Sequence, residues 1–365
     1  MSTMKNIRAG LQGQSSSPST VTVIVPVYRG GEQFKRCLAS LCELSPPPLE
    51  VVIVADGDPD GSGDYAEACG VRLVRLNGPS GPAKARNAGA RHAHGTLLFF
   101  VDADVTVPAD SIARIQELFK EEAYPSAVIG SYDDTPADLR FVSQYRNLLH
   151  HYVHQQASEQ AWTFWGACGV IRATVFHAVG GFDERYGRPC IEDIELGYRL
   201  RRAGYSIRLC KSLIVKHLKR WTLPGMIRTD VFDRALPWTE LILTHRDLPN
   251  DLNLSVSARW SGVLVMVFGT SMSLFPWVPS LGTLSMLSVL GLVGLNADLY
   301  RFFWKQRGIT FALRAVLLHG LYYAYSSLAF AAGTARYGLC RRTGHRTSTW
   351  PESDPSNGFQ PEGHE

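Results

Sequence analysis

The sequence lacks most of the features that assign a function directly. Its seven cysteines (Cys37, Cys42, Cys69, Cys168, Cys190, Cys210 and Cys340) form no C-x-x-C pair and show no metal-ligand spacing. That argues against a zinc module or a disulfide scaffold and fits reduced thiols in a cytosolic compartment. The first apolar run is not followed by G-x-G-x-x-G, and the chain has no G-x-x-x-x-G-K-[ST], which argues against a dinucleotide-binding Rossmann domain and a P-loop NTPase. The net charge of +4 is small and not concentrated, so nucleic acid is not expected as a partner. The Ser-rich start holds no apolar h-region, so no signal peptide is expected. Formal charge is absent from Trp260 to Ala297. With 365 residues, the chain reads as a large soluble domain followed by a membrane part.

Residues 96–105 organise the rest. A short apolar run between Gly95 and Pro108 reads as a buried strand, apolar throughout because both faces are covered. It ends in Asp102-Ala103-Asp104. Two carboxylates at the C-terminal end of a strand stand where open α/β sheets bind ligands. Residues two apart in an extended chain point to one side. A hard cation, Mg²⁺ or Mn²⁺, would satisfy them, with diphosphate oxygens completing its shell. A solvated strand end is the simpler explanation of Asp-x-Asp by itself.

The preceding chain alternates. Strands are expected at 21–27, 50–54 and 71–76, and helices at about 31–44, 62–69 and 81–90. This order predicts a doubly wound α/β sheet. Beyond residue 105, a helix at about 108–121, an edge strand near 127–132, a mostly helical stretch over 137–160 and short strands at 205–210 and 213–215 are expected. His150, His151 and His154 lie on adjacent turns. A zinc site is conceivable there, and an exposed polar face is the plainer expectation.

Four segments in order, Val25-Pro26-Val27-Tyr28, Val54-Ala55-Asp56-Gly57, Ala85-Arg86-Asn87-Ala88-Gly89 and Val101-Asp102-Ala103-Asp104, resemble the family 2 glycosyltransferases, enzymes of the GT-A fold that use nucleotide-sugar donors. The resemblance extends through Trp221. It implies that Pro26, Val27 and Tyr28 line the nucleoside pocket and that Asp56 contacts the base or ribose. It also implies that Arg86 and Asn87 face the donor, that Asp102 lies against the ribose or sugar, and that Asp104 ligates the metal. Ala55 stands where the family usually has a first acid, which bears on the choice of base, normally uracil. Trp165 and Gly166, in a segment of two tryptophans and two glycines, would border the acceptor. Glu192-Asp193 falls on the family's Glu-Asp pair, which implies that both acids are catalytic and that Asp193 is the general base; the same acids also suit a helix N-terminus. Lys216–Trp221 is similar to the family's Gln-x-x-Arg-Trp signature, with His217 in the Gln place. Arg220 would pair the diphosphate, Trp221 would border the acceptor, and His217 stands near a third metal-ligand position. Contact with anionic lipid competes as an explanation of this basic cluster.

The expected organisation is a tail (1–20), a GT-A domain (21–245) with a helix interrupted at Pro237, a linker (246–259), a transmembrane or re-entrant hairpin (260–300), a third membrane or interfacial helix (309–338) and a tail (347–365). Arg301, Lys305 and Arg307 are expected in a cytoplasmic loop. His319, Tyr322, Tyr323 and Ser326 are candidates for lipid contact. The expected activity is inverting, metal-dependent transfer from a nucleotide sugar, with a UDP-sugar favoured, to a lipid-linked or glycan acceptor at the cytoplasmic face of the inner membrane. A processive polysaccharide synthase and an inactive membrane-anchored scaffold are the alternatives.

Overall fold

A computed structural model describes residues 19–120 and 125–343. The expected tails lie outside the described residues, save for residues 19 and 20. The first half alternates as its sequence implies: β1 (Val21–Val27), α1 (Gly31–Cys42), β2 (Glu50–Asp56), α2 (Ser62–Ala68), β3 (Arg72–Leu76), α3 (Pro82–Arg91) and β4 (Leu97–Val101). Pro82 opens α3 because a first-turn residue needs no N–H donor. There follow β5 (Val105–Thr106), α4 (Ser111–Leu118), β6 (Ala127–Tyr132), α5 (Phe141–Gln156), β7 (Gln160–Ala161), β8 (Cys168–Arg172), α6 (Ala173–Ala178), α7 (Glu192–Arg202) and β9 (Ile207–His217).

The strands form one mixed sheet in the order β3-β2-β1-β4-β8-β6-β9-β5, with β7 also paired to β9. β1 to β4 run parallel, and β8 lies antiparallel between β4 and β6. Two expectations need correction. β6 is interior rather than an edge strand, and all six of its residues are buried. The two short strands at 205–215 are one strand, β9, whose pairing with β6 shifts register between Ile129 and Ser131. One side of the sheet buries Val23, Val25, Phe99 and Val101 against α1 and α4; the other buries Ile24, Val54, Phe100 and Phe164 against α3 and α7.

After β9 the chain is helical. α8 (Leu223–Arg228) leads through a π-helical stretch, Thr229–Ala235, into α9 (Leu236–His245). The expected interruption at Pro237 is thus a widened turn. Proline cannot donate to the carbonyl four residues back, and the helix widens just ahead of it instead of stopping. A hairpin of α10 (Val256–Leu274) and α11 (Leu281–Leu295) follows, then α12 (Ala297–Arg307) and α13 (Ile309–Thr343).

Arg301, Lys305 and Arg307 lie on α12, not in a loop. Leu299 and Phe303 of α12 pack with Tyr145 and Leu148 of α5 and Ala315 of α13. Arg307 donates to Gln144 Oε1 at 2.7 Å and to the Asp134 carbonyl at 2.8 Å. The helical region is therefore joined to the sheet domain through α5.

Polarity in the hairpin is reversed from that of a water-soluble bundle. Ser271 and Ser285 bond to each other at 2.6 Å between the arms, and Asn296 donates to Ser261 at 2.9 Å. Met266, Phe268, Leu287 and Leu290 face outward. Small polar residues inside and large apolar ones outside are the packing of helices in lipid. Among the described residues, α13 is long and apolar enough to cross a membrane, and α11 with α12 meets the same measure as a pair bent by 63°.

Candidate active site

The site is built at the C-terminal ends of β1, β2 and β4 and closed by the β6–β8 connection and α7. Arg86 of α3 lies at its centre, 4% exposed. Its Nη2 donates to Asp102 Oδ1 at 2.7 Å and its Nη1 to Glu192 Oε1 at 2.8 Å, and the guanidinium stands 5.3 Å from the Phe182 ring centroid. Burial alone would lower the Arg86 pKa, but Asp102 and Glu192 more than offset that and raise it. One planar cation thus ties the end of β4 to the start of α7, a geometry the fork of an arginine suits.

Two glycines bring Asp193 to the same place. Gly197, one turn beyond Asp193 on α7, lies so close to the Thr163–Phe164 backbone that a Cβ would meet Phe164 N at 2.4 Å. The helix therefore rides directly on the segment that carries Trp165 and Gly166. The Gly166 N–H donates to Asp193 Oδ2 at 3.0 Å, and a Cβ on Gly166 would stand 2.8 Å from Arg86 Cζ. Asp193 and Arg86 flank Gly166. Desolvation and the nearby Glu192 push the Asp193 pKa up to about 6, against the opposing pull of Gly166, Arg86 and Arg234. A carboxylate poised there is ionised at neutral pH yet basic enough to take a proton.

Asp104 holds the other side. Its Oδ2 lies 3.4 Å from His217 Nε2, with the side chains 26% and 10% exposed. Burial would raise the Asp104 pKa, but His217 and Lys219 outweigh it and the carboxyl is held below its ordinary value. The His217 ring stacks on Tyr132 at 4.5 Å, and Tyr132 meets Trp165 edge-on at 4.7 Å. A continuous chain of contacts, Asp104–His217–Tyr132–Trp165–Gly166–Asp193, runs along one wall, and Arg86 bridges the Asp102 end to it.

Among the described residues, no cluster of three or more His, Cys, Asp or Glu side chains could enclose a metal. Asp104 and His217 nevertheless form an adjacent, partly open pair of donors, and Asp102 keeps one oxygen outside its bond to Arg86. Such a set fits a hard divalent ion that takes its remaining oxygens from a diphosphate and water.

Other expected site residues do different work. Asp56 accepts the N–H groups of Ser80 and Gly81 at 2.7 and 2.8 Å, clamping the loop before α3. Asn87 donates to the Phe182 carbonyl and to Glu184 and accepts the Phe182 N–H, so all its capacity holds the turn before α7. Glu192, named with Asp193 as catalytic, is buried and commits one oxygen to Arg86 and the other to the Cys190 N–H. It positions Arg86. Val27 points into the core beside Val25, whereas Pro26 is partly open and Tyr28 exposed. Trp221 does not border a groove. It is 8% exposed, packed between Lys219 and Arg146 where the sheet domain meets the helices. Arg220 is exposed on the turn after β9.

His150 and His154 form neither a zinc site nor an exposed face. Both rings pack on Trp165, at 4.8 and 5.3 Å, and His154 bonds the Gly130 carbonyl at 2.9 Å. Burial holds the pKa of both well down, that of His154 at about 4. They are the neutral backing of the aromatic wall. Tyr132 and Arg234 were missed by sequence reasoning. For Arg234 the one available signal was Pro237, which follows the π-helical stretch that carries it.

Residues 22–180 match the model of glycosyl transferase family 2. Among curated relatives, the uncharacterized glycosyltransferase EpsJ of Bacillus subtilis is 35% identical over 101 residues, covering 27% of this chain and 29% of that protein. The succinoglycan biosynthesis protein ExoA of Rhizobium meliloti is 23% identical over 267 residues, covering 70% and 79%. The undecaprenyl-phosphate 4-deoxy-4-formamido-L-arabinose transferase of Serratia proteamaculans is 25% identical over 174 residues, covering 45% and 52%. The chain spans only 29%, 38% and 27% of EpsJ and of two further relatives, GlyG of Streptococcus pneumoniae and YibD of Escherichia coli. Residues 22–180 are accordingly similar to the glycosyl transferase family 2 domain.

Proposed function

We propose that the protein is an inverting, metal-dependent glycosyltransferase acting at the cytoplasmic face of the inner membrane. The donor is a nucleotide-diphosphate sugar and the acceptor is lipid-linked. The observation that carries this reading is Asp193, a carboxylate with its pKa at about 6, bonded to Gly166 beside the Arg86-held Asp102. In-line attack on the anomeric carbon needs one such base on the acceptor side. Asp193 takes the acceptor hydroxyl's proton as the new glycosidic oxygen bond forms and the bond to the departing nucleoside diphosphate breaks. Arg86 holds Asp102 in place for the donor's sugar or ribose. Asp104 and His217, with Asp102 adjacent, would hold Mg²⁺ or Mn²⁺, which when bound would supply positive charge against the leaving diphosphate. The lipid-linked acceptor is supported by the outward apolar hairpin and by the Serratia relative, whose name specifies undecaprenyl phosphate.

Thermal shift with a panel of nucleotide sugars tests this reading, because a ligand that binds only the folded state stabilises it by about 2.7 kcal/mol at a hundred times its Kd. At least one UDP- or GDP-sugar should raise the melting temperature with Mn²⁺ and much less with EDTA. Asp104→Ala should lose the metal-dependent part; a shift that EDTA leaves intact would count against the metal assignment.

A further inference from the structure

A cavity of about 770 Å³ opens between the π-helical stretch with α9 on one side and α10, α11 and α13 on the other. Its two ends differ. Toward the sheet domain it is lined by Arg146, Asp230, Arg234 and Arg259; toward the hairpin tip it is lined by Met266, Val267, Leu274, Leu281, Leu284 and Phe330. Arg259 and Leu274 lie 15 residues apart on α10, about 22 Å along a helix. Trp260 and Trp277 are exposed beside the two ends of α10, where tryptophans mark the two faces of a bilayer. In a bilayer the charged end would stand at headgroup level and the apolar end at hydrocarbon level.

The charges at the mouth do not balance. Asp230 takes two bonds from Arg146, at 3.1 and 2.6 Å, and a third from the Tyr325 hydroxyl at 2.7 Å. Arg234 and Arg259 have no hydrogen-bond or ion-pair partner among the described residues, and Arg259 Nε is buried with none. Two unpaired guanidinium groups at the mouth of an apolar cavity call for an anion, and phosphate oxygens match their donors best.

We propose that this cavity is the seat of a phosphate- or diphosphate-headed lipid, with the headgroup between Arg234 and Arg259 and the tail along α10, α11 and α13. The proposal deepens the transferase reading and rests on it, because the lipid is then the acceptor's carrier. Arg234 is also among the cations whose charge acts on Asp193. A sugar or hydroxyl attached to the phosphate would reach the site from the membrane side, past Arg234.

Calorimetric titration of the detergent-solubilised full chain with farnesyl diphosphate tests the proposal. Saturable binding is expected. Arg259→Gln should weaken it about tenfold or more, the scale of one lost charge-assisted bond. Val263→Trp, which fills the cavity wall from an exposed position, should weaken it comparably. Farnesol and inorganic diphosphate should each bind at least tenfold more weakly than the joined molecule. Inorganic diphosphate binding as tightly as farnesyl diphosphate, or neither variant changing the affinity, would overturn the assignment. Stabilisation by Mn²⁺ and nucleotide sugar is read on the same samples. Its retention in Arg259→Gln shows a folded donor site, and its absence from the wild type counts against the transferase reading rather than against the cavity.

Discussion

Replacing Asp193 by asparagine is expected to lower turnover by about a hundred- to ten-thousand-fold, the usual contribution of a positioned base, while nucleotide binding with Mn²⁺ stays within a few-fold of wild type. The two parts separate because Asp193 contacts the Gly166 backbone and not Asp104 or His217. The same substitution should leave the protein more stable at neutral pH. Asp193 has its pKa raised from 3.8 to about 6 in the folded chain. The sequence therefore folds most readily with this group protonated. That stability is fully present below about pH 4 and is lost as pH rises through about 6, to the extent of up to about 3 kcal/mol at 1.36 kcal/mol per unit. Asparagine keeps the neutral shape at every pH. The stability difference between mutant and wild type should accordingly be largest near pH 8 and vanish toward pH 4. Such a trade of stability for a poised charge is what active sites commonly show.

The second large effect is at Arg86. Removing its charge leaves the buried Glu192 with no counter-ion, while Asp102 keeps a third of its side chain in solvent; breaking a buried pair from one side costs about 3–5 kcal/mol. Arg86→Met should therefore destabilise by that amount, as read by denaturation of the solubilised protein. Arg86→Lys should recover little, since a point charge cannot bond both carboxylates at once. Adding Glu192→Gln to Arg86→Met should restore part of the loss, because it removes one of the stranded charges; a double variant no more stable than the single would show that the pair is not coupled. If Arg86→Met stayed within about 1 kcal/mol of wild type, the guanidinium would not be the link between β4 and α7.

Much of this was legible in the sequence, for identifiable reasons. The first four strands read correctly because each is a short, mostly apolar run bounded by Pro, Gly or Asp. Asp102, Asp104 and Asp193 could be picked out only through the ordered segments that resemble the family's, since a strand end or a helix N-terminus is by itself reason enough for a carboxylate. The roles of Asp56 and Asn87 could not, since a polar side chain that clamps a loop looks the same as one that waits for a ligand. What decides between them is whether Ser80, Gly81 and Phe182 come within reach, and that is a tertiary fact. Val27 was within reach of sequence reasoning, because it shares the two-residue period of Val23 and Val25 and so their core-facing side. The interior place of β6 was not legible, because it comes from pairing with β8 and β9, which lie 36 or more residues away in the chain. The cavity between α9, α10, α11 and α13 has no signature in any one segment. It is formed by several helices together, with Arg234 of the π-helical stretch and Arg259 of α10 both on its lining.

The central claim is that one carboxylate, made basic by burial beside Glu192, accepts the acceptor's proton. The pH dependence of kcat/KM for sugar transfer tests it most directly, since that profile reports the free enzyme's essential base. The account predicts a tenfold rise per pH unit up to about 6 and a plateau above it, with the ascending limb absent from the residual activity of Asp193→Asn. A profile that is flat from pH 5 to 8, or an unchanged ascending limb in the variant, would contradict it.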